Sequence, residues 1–335
     1  MATLVPRTEG WNSALSAFPE RARPEIDFIW ENHGCLPAES VARLAVTVAN
    51  IGTLMMQLLP IAQQYAVVPV SNYQVGAVAA GMPVPGTGWC NLYLGANFEF
   101  PNSALSFTVH AEQCATNNAW LSGQPGIQAL AISAAPCGYC RQFLYELVTA
   151  KDLNILLPNN PKNPLSYSLT PLTTFLPNAF GPKDLNVDGG LMDPKLCTHT
   201  LILNNPSTDP VIVAALAAAC GSYAPYLTPS PKVAPQPPPY FGPYGYAGIA
   251  LQLADGTIHP GRNAENAAYN PSLSPLESAL SFANMNLPSP STFPAVTRCV
   301  LVELQTMSSQ LSATQAVLSA YAPTVTVEYY QATLV

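Results

Sequence analysis

His110-Ala111-Glu112-Gln113 and, further on, Pro136-Cys137-Gly138-Tyr139-Cys140-Arg141-Gln142 are the runs from which the rest of this 335-residue chain is read. One imidazole nitrogen and two thiolates form a ligand set for zinc. Three protein ligands leave the fourth tetrahedral position open, as catalytic rather than structural zinc sites do. Glu112 follows the His by two residues, beside such a metal but badly placed to ligate it. Each run alone reads in other ways. A single C-x-x-C could be a redox pair or half of a structural zinc site, and most H-x-E pairs are ordinary helix-surface residues.

The combination suits hydrolysis. Water on zinc has its pKa drawn from about 15.7 towards about 7, which supplies a nucleophile near neutral pH. A carboxylate beside it can take up that proton, deliver one to a ring nitrogen and protonate a departing amine. Glu112 is the acid placed for this. The Pro-Cys opening reads as a helix start, because proline is tolerated at the first helical position. Cys137 and Cys140 then share one face of the first turn, near the positive end of the helix dipole, which favours thiolate.

An H-x-E followed by P-C-x-x-C is the signature of the zinc deaminases. At this point the sequence resembles the cytidine deaminase family, in particular its long-chain, homodimeric branch. Ser71-Asn72-Tyr73-Gln74-Val75-Gly76-Ala77 and Leu94-Gly95-Ala96-Asn97-Phe98-Glu99 are similar to family segments. Ala119-Trp120-Leu121-Ser122-Gly123, Pro177–Leu185 and Ala264–Pro271 resemble the long branch. The resemblance runs from about residue 45 to about residue 285. It implies a three-layer α/β/α core, duplicated, with a degenerate C-terminal copy. It also implies one zinc per chain on His110, Cys137 and Cys140, with Glu112 as the proton shuttle. Asn97 and Glu99 would bind the ribose, mainly its 3′-hydroxyl, and Tyr73 would lie against the pyrimidine. The Ala111 N–H would contact the base carbonyl and the Ala135 carbonyl the amine. Phe180 and Tyr269 would close the pocket, Tyr269 from a partner chain. The implied reaction is deamination of free cytidine and 2′-deoxycytidine, a step of pyrimidine salvage. Two readings stand beside it: a deaminase of another small amino-pyrimidine, and a non-catalytic zinc protein using the fold as an interaction module. The second needs Glu112 to be dispensable.

Composition agrees with a nucleoside substrate. Net charge is −7 with only 12 Lys plus Arg and no basic run, whereas polynucleotide binding draws on clustered cations. No nucleic-acid partner is expected. Charged residues make up 9%, against about 25% ordinarily. Eight cysteines show no framework spacing, so free thiols in a reducing compartment are expected. Residues 1–30 lack an apolar signal core. The apolar stretch Val41–Val70 is interrupted by Asn50, Gln57, Pro60, Gln63 and Gln64 and should not span a membrane. A cytoplasmic homodimer is expected.

The chain in order divides into a lead-in (1–40), a catalytic domain (41–160), a linker (161–205) and a degenerate domain (206–335). The first 40 residues should be a polar, short helical or irregular segment. Val41–Leu59 reads as one helix, with a second beginning near Pro60. Strands are expected over Tyr73–Ala80, Trp89–Leu94 and Gln128–Ala134, and helices over Phe107–Leu121 and Cys137–Thr149. Cys114 and Trp120 read as core. Cys197 with His199, and His33 with Cys35, read as incidental pairs. Arg141 could offset thiolate charge or lie at a surface. Gly248-Ile249-Ala250-Leu251 and Gly261-Arg262-Asn263-Ala264-Glu265 echo Val75–Val78 and Gly95–Glu99, an internal repeat. In that copy Pro275 falls near the place of the ligand His, Glu277 near that of the acid, and no second C-x-x-C follows. The Pro/Tyr-rich run Tyr226–Tyr246 reads as an extended loop.

Overall fold

A computed structural model describes residues 8–45, 47–48, 50–226, 244–287, 295–306 and 308–335. Most of the Pro/Tyr-rich run therefore lies outside the described residues.

The first half opens with helices α1 (Glu9–Ser16) and α2 (Arg23–Asp27), strand β1 (Cys35–Leu36), then α3 (Ala38–Ala45) and α4 (Ile51–Gln63). It continues through β2 (Gly76–Pro83), β3 (Cys90–Ala96), α5 (Ala111–Leu121), β4 (Ile127–Ile132), α6 (Gly138–Tyr145), β5 (Asn154–Pro158), β6 (Tyr167–Pro171) and α7 (Leu172–Phe175). The second half carries β7 (Leu201–Leu203), α8 (Pro210–Cys220), β8 (Ala247–Leu253), β9 (Ile258–Arg262), α9 (Pro275–Met285), β10 (Val296–Leu304), α10 (Leu311–Tyr321) and β11 (Val327–Leu334). The first sheet runs β1-β3-β2-β4-β5-β6 and the second β9-β8-β10-β11-β7. Read in those directions, the second sheet repeats the first without β1. Each has one parallel pair, β4 with β5 and β10 with β11, among antiparallel neighbours.

The layering follows from glycines where helices approach the sheets too closely for a side chain. A Cβ on Gly76 would stand 2.7 Å from the Leu59 carbonyl oxygen of α4, and one on Gly95 would stand 2.1 Å from the Ala115 nitrogen of α5. Gly76 pairs with Ala96 across the strands, and successive residues face opposite sides of a sheet. So α4 and α5 cover opposite faces. The second half repeats this: a Cβ on Gly248 would stand 2.1 Å from the Ala219 nitrogen of α8, and one on Gly261, the neighbour of Arg262, which pairs with Gly248, would stand 2.3 Å from the Ala279 nitrogen of α9. Both halves are α/β/α sandwiches. Helices α5 and α9 pack against each other, so each half covers the other's inner helix.

Several local expectations need correction. The lead-in is helical, and it buries Trp11, Phe18, Ile26, Ile29 and Trp30 in the main core, with Trp11 edge-on to Trp30 at 4.6 Å. The break in the next helical stretch comes before Asn50, not at Pro60. Asn50 caps α4 by accepting from the Thr53 N–H at 2.8 Å, and Pro60 is tolerated in the last turn. The linker serves both halves: Tyr167–Pro171 completes the first sheet, and Leu201–Leu203 edges the second.

Candidate metal and active site

The site forms where β3, β2 and β4 meet the helix starts at one end of the first sheet. His110 is the N-cap of α5, with an extended backbone, rather than a residue inside a helix beginning at Phe107. Cys137 is likewise the N-cap of α6, which places Pro136 outside the helix, and Cys140 lies in the first turn. The Nδ1, Sγ and Sγ atoms of these three residues lie within 4.8 Å of one another. Cys137 Sγ is 3.7 Å from His110 Nδ1, close to the roughly 3.6 Å edge of a tetrahedron with ordinary zinc bond lengths. Two helix N-termini point their partial positive charge at the donors. The Cys140 N–H donates to Cys137 Sγ at 3.4 Å. A hydrogen bond from the Cys140 thiol is the main reason the Cys137 thiol is lowered to about 5, helped by that N–H and by His110. The same bond, with burial, pushes Cys140 up. Soft, partly ionised, closely spaced donors fit zinc, and no other group of three or more such ligands occurs among the described residues.

Glu112 is only 4% exposed and lies against Cys140. Burial pushes its carboxyl above the usual range, opposed by the helix N–H and by His110. Asn97 and Glu99 are also buried, and both hold the main chain before β2. Asn97 donates from Nδ2 to the Tyr73 carbonyl at 2.9 Å and accepts from the Val75 N–H at 2.9 Å. Glu99 accepts from the N–H groups of Val70 and Ser71 at 3.0 Å and from the Ser71 hydroxyl. The pair thereby presents Tyr73, which is 63% exposed. A bridge between Phe98 and Val109 sets this pair beside His110. The Gly76 carbonyl, accepting from Ser133 N–H, sets the same end beside the Ala135 turn.

Phe180 and Tyr269 are brought to α6 through their main chains. Gln142 Nε2 donates to the Phe180 carbonyl at 2.8 Å, and the Gln142 carbonyl accepts from Asn266 Nδ2 at 3.1 Å. The loop carrying Tyr269 is thus braced on its own chain's metal helix. Phe180 and Tyr269 are 46% and 68% exposed.

The zinc-binding region of cytidine and deoxycytidylate deaminases matches in two versions, over residues 50–156 and over residues 172–236 and 239–317. The cytidine deaminase of Aliivibrio fischeri is 41% identical over 333 residues, 98% of this chain and 99% of its own. The chain belongs to the cytidine deaminase family. The cytidine deaminases of Aeromonas hydrophila and Yersinia pestis are 43% and 39% identical, over 73% and 85% of this chain and 73% and 86% of theirs. Zinc is the metal of this deaminase site.

The internal repeat in this deaminase is more regular than the residue pattern suggests, and its register needs adjusting. Ser274 is the N-cap of α9, as His110 is of α5, and Glu277 completes a capping box where Gln113 does so in α5. Glu277 therefore stands at the position of Gln113, and Leu276 stands at that of Glu112. The Asn97 clamp recurs too, with Asn263 Nδ2 donating to the Gly245 carbonyl at 2.8 Å. As expected, Cys114 and Trp120 are core. His199 stacks on Tyr246 at 3.7 Å. Arg141 donates to the Pro136 carbonyl at 2.8 Å and the Phe175 carbonyl at 3.1 Å, pinning the turn before Cys137. Three supporting residues escaped sequence reasoning: Gln113, Tyr139 and Glu146. The capping-box pattern S/T-x-x-E/Q does not flag the first, because His110 stands in the place of the Ser or Thr. The other two depend on partners in the second half.

Proposed function

We propose that this deaminase converts cytidine and 2′-deoxycytidine to uridine and 2′-deoxyuridine with release of ammonia. The convergence of His110, Cys137 and Cys140 beside a buried Glu112 carries this reading. When bound, zinc supplies Lewis acidity at an open fourth position, where water becomes a nucleophile near neutral pH. Glu112 holds the proton released as water adds to C4, gives a proton to ring N3 and then protonates the leaving amine. The Ala111 N–H, at the first position of α5, belongs to the helix turn whose donors have no intrahelical partner, and it receives the base carbonyl. The Ala135 carbonyl receives the departing amine.

Asn97 uses one N–H on Tyr73 and has a second for the sugar, while Glu99 offers carboxylate lone pairs to the 3′-hydroxyl. A 3′ contact accepts ribose and 2′-deoxyribose alike, and Glu99 disfavours a phosphate nearby. Tyr73 covers the pyrimidine. The exposed Phe180 and Tyr269 suit a pocket completed by a second copy, so a homodimer belongs to this reading. All eight cysteines are free thiols, which supports a reducing cytoplasm. No described helix is long and apolar enough to cross a membrane.

The test follows both nucleosides by ultraviolet absorbance with purified protein, alongside zinc per chain and molecular mass by light scattering. Turnover of both, with about one zinc per chain, is expected. Bound zinc with neither nucleoside consumed would overturn the substrate assignment, and a catalytically active monomer would overturn the shared pocket.

A further inference from the structure

We propose that Tyr139, between the two zinc-binding cysteines, is a positioning residue for the ligand His110. Its ring stacks on the imidazole, with centroids 5.2 Å apart and planes inclined by 25°. The role rests on the proposed zinc site but goes beyond it, because Tyr139 offers no ligand atom to that site.

Nδ1 of His110 faces Cys137 and is therefore the ligating nitrogen. A ligating imidazole is ordinarily oriented by a hydrogen bond from its other nitrogen. In this protein the groups around His110 supply a further means of orientation. Two contacts supply it. Gln113 accepts the His110 N–H on Oε1 at 3.1 Å, which fixes the backbone. Tyr139 covers a ring face, which limits rotation about the Cβ–Cγ bond. The Tyr139 hydroxyl is itself tied at both ends by long hydrogen bonds. It accepts from Gln113 Nε2 at 3.5 Å and donates to the Ser272 carbonyl at 3.4 Å. Ser272 lies in the second half, on the loop whose Ser272 hydroxyl donates to the Tyr269 carbonyl. The half without a metal thereby reaches the metal ligand of the other half through one aromatic ring.

The experiment measures zinc affinity of the full chain by competition with a chromophoric chelator. The ligand-field absorption of the cobalt-substituted protein is recorded alongside it. Tyr139→Leu keeps apolar volume but removes the aromatic face, and Tyr139→Phe keeps the face but removes the hydroxyl. The Leu variant should bind zinc about tenfold more weakly and show altered cobalt bands. The Phe variant should keep the parental bands and stay within about threefold of parental affinity. Packing loss elsewhere would lower thermal stability without moving the cobalt bands. Parental affinity and bands in the Leu variant would overturn the role, as would a Phe variant impaired as far as Leu. A parent protein that takes up no zinc would instead overturn the proposed function on which this role depends.

Discussion

Replacing Gly95 with alanine tests whether the contact between β3 and α5 sets the chemistry. The added Cβ would lie 2.1 Å from the Ala115 nitrogen, 2.6 Å from its Cα and 2.7 Å from the Cys114 carbonyl carbon. Carbon contacts are comfortable near about 3.5 Å, so helix and strand must separate by roughly 1 Å. The obstruction is backbone, and no side chain can swing aside. Overpacking of this kind costs about 1–3 kcal/mol. The helix that moves starts at His110 and carries Glu112, and a misplacement of about 1 Å can cost about 100-fold in rate. Gly248→Ala is the control. Its Cβ would meet Ala219 N at 2.1 Å, an equal clash, but on α8 at the far face of the second sheet. Urea unfolding and kcat/KM for cytidine should show similar destabilisation in both variants, with the large rate loss confined to Gly95→Ala. Equal rate losses would refute the displacement argument, because stability alone would then account for them.

Three further outcomes are expected. Glu112→Gln should lower kcat by about 10²- to 10⁴-fold while zinc content stays parental; loss of zinc would make Glu112 a support of the metal site instead. Burial raises the Glu277 carboxyl to about 7 from its usual 4.5, so the native chain holds a proton there that the unfolded chain releases. That contribution is present below about pH 4.5 and lost as pH rises to about 7, by up to about 3 kcal/mol. Glu277→Gln should remove this part of the decline when urea midpoints are compared near pH 5 and pH 8, and an unchanged parental slope would sink the assignment. Asn117 on α5 donates to the Ser278 carbonyl at 2.9 Å and accepts from the Ser278 hydroxyl at 2.7 Å on α9. Asn117→Ala should cost about 3 kcal/mol by calorimetry, since buried groups of Ser278 and Ser281 on α9 lose their partner; a loss below about 1 kcal/mol would mean that water replaces it.

The convergence of His110, Cys137 and Cys140 was legible because a metal site demands fixed residue types, and a turn separates Cys137 from Cys140 whatever surrounds it. Fold class was legible for a related reason: Gly95-x-Asn97-x-Glu99 and Gly261-x-Asn263-x-Glu265 recur because each glycine admits a helix and each asparagine ties back the chain entering a strand. Cap positions were not. A cap depends on one residue's backbone angles, and His110 and Cys137, the N-caps of their helices, are residue types that sequence rules do not favour there. The environment of α5 was hidden more deeply. Gln113, Thr116, Asn117 and Asn118 suggest a solvated face, yet all are buried. Their burial makes sense only with α9 on one side and the Leu94 and His33 carbonyls, which accept from Asn118, on the other.

That burial explains why a half without ligands must stay attached. Glu146, at the end of the metal helix, is 1% exposed, and its carboxylate accepts from the hydroxyls of Tyr223 and Tyr226 and from the Ala267 N–H. Without the second half, Glu146 and Asn117 would lose these partners, and the apolar core that runs across both halves would face water. Within one chain the two copies differ at the positions that do chemistry and agree at those that pack. Ser274 replaces His110 and is the better helix cap; Leu276 replaces Glu112 and needs no partner when buried. Gly261, Asn263 and the capping box keep the geometry of their counterparts. The substitutions in the second copy therefore leave intact the face that α5 requires.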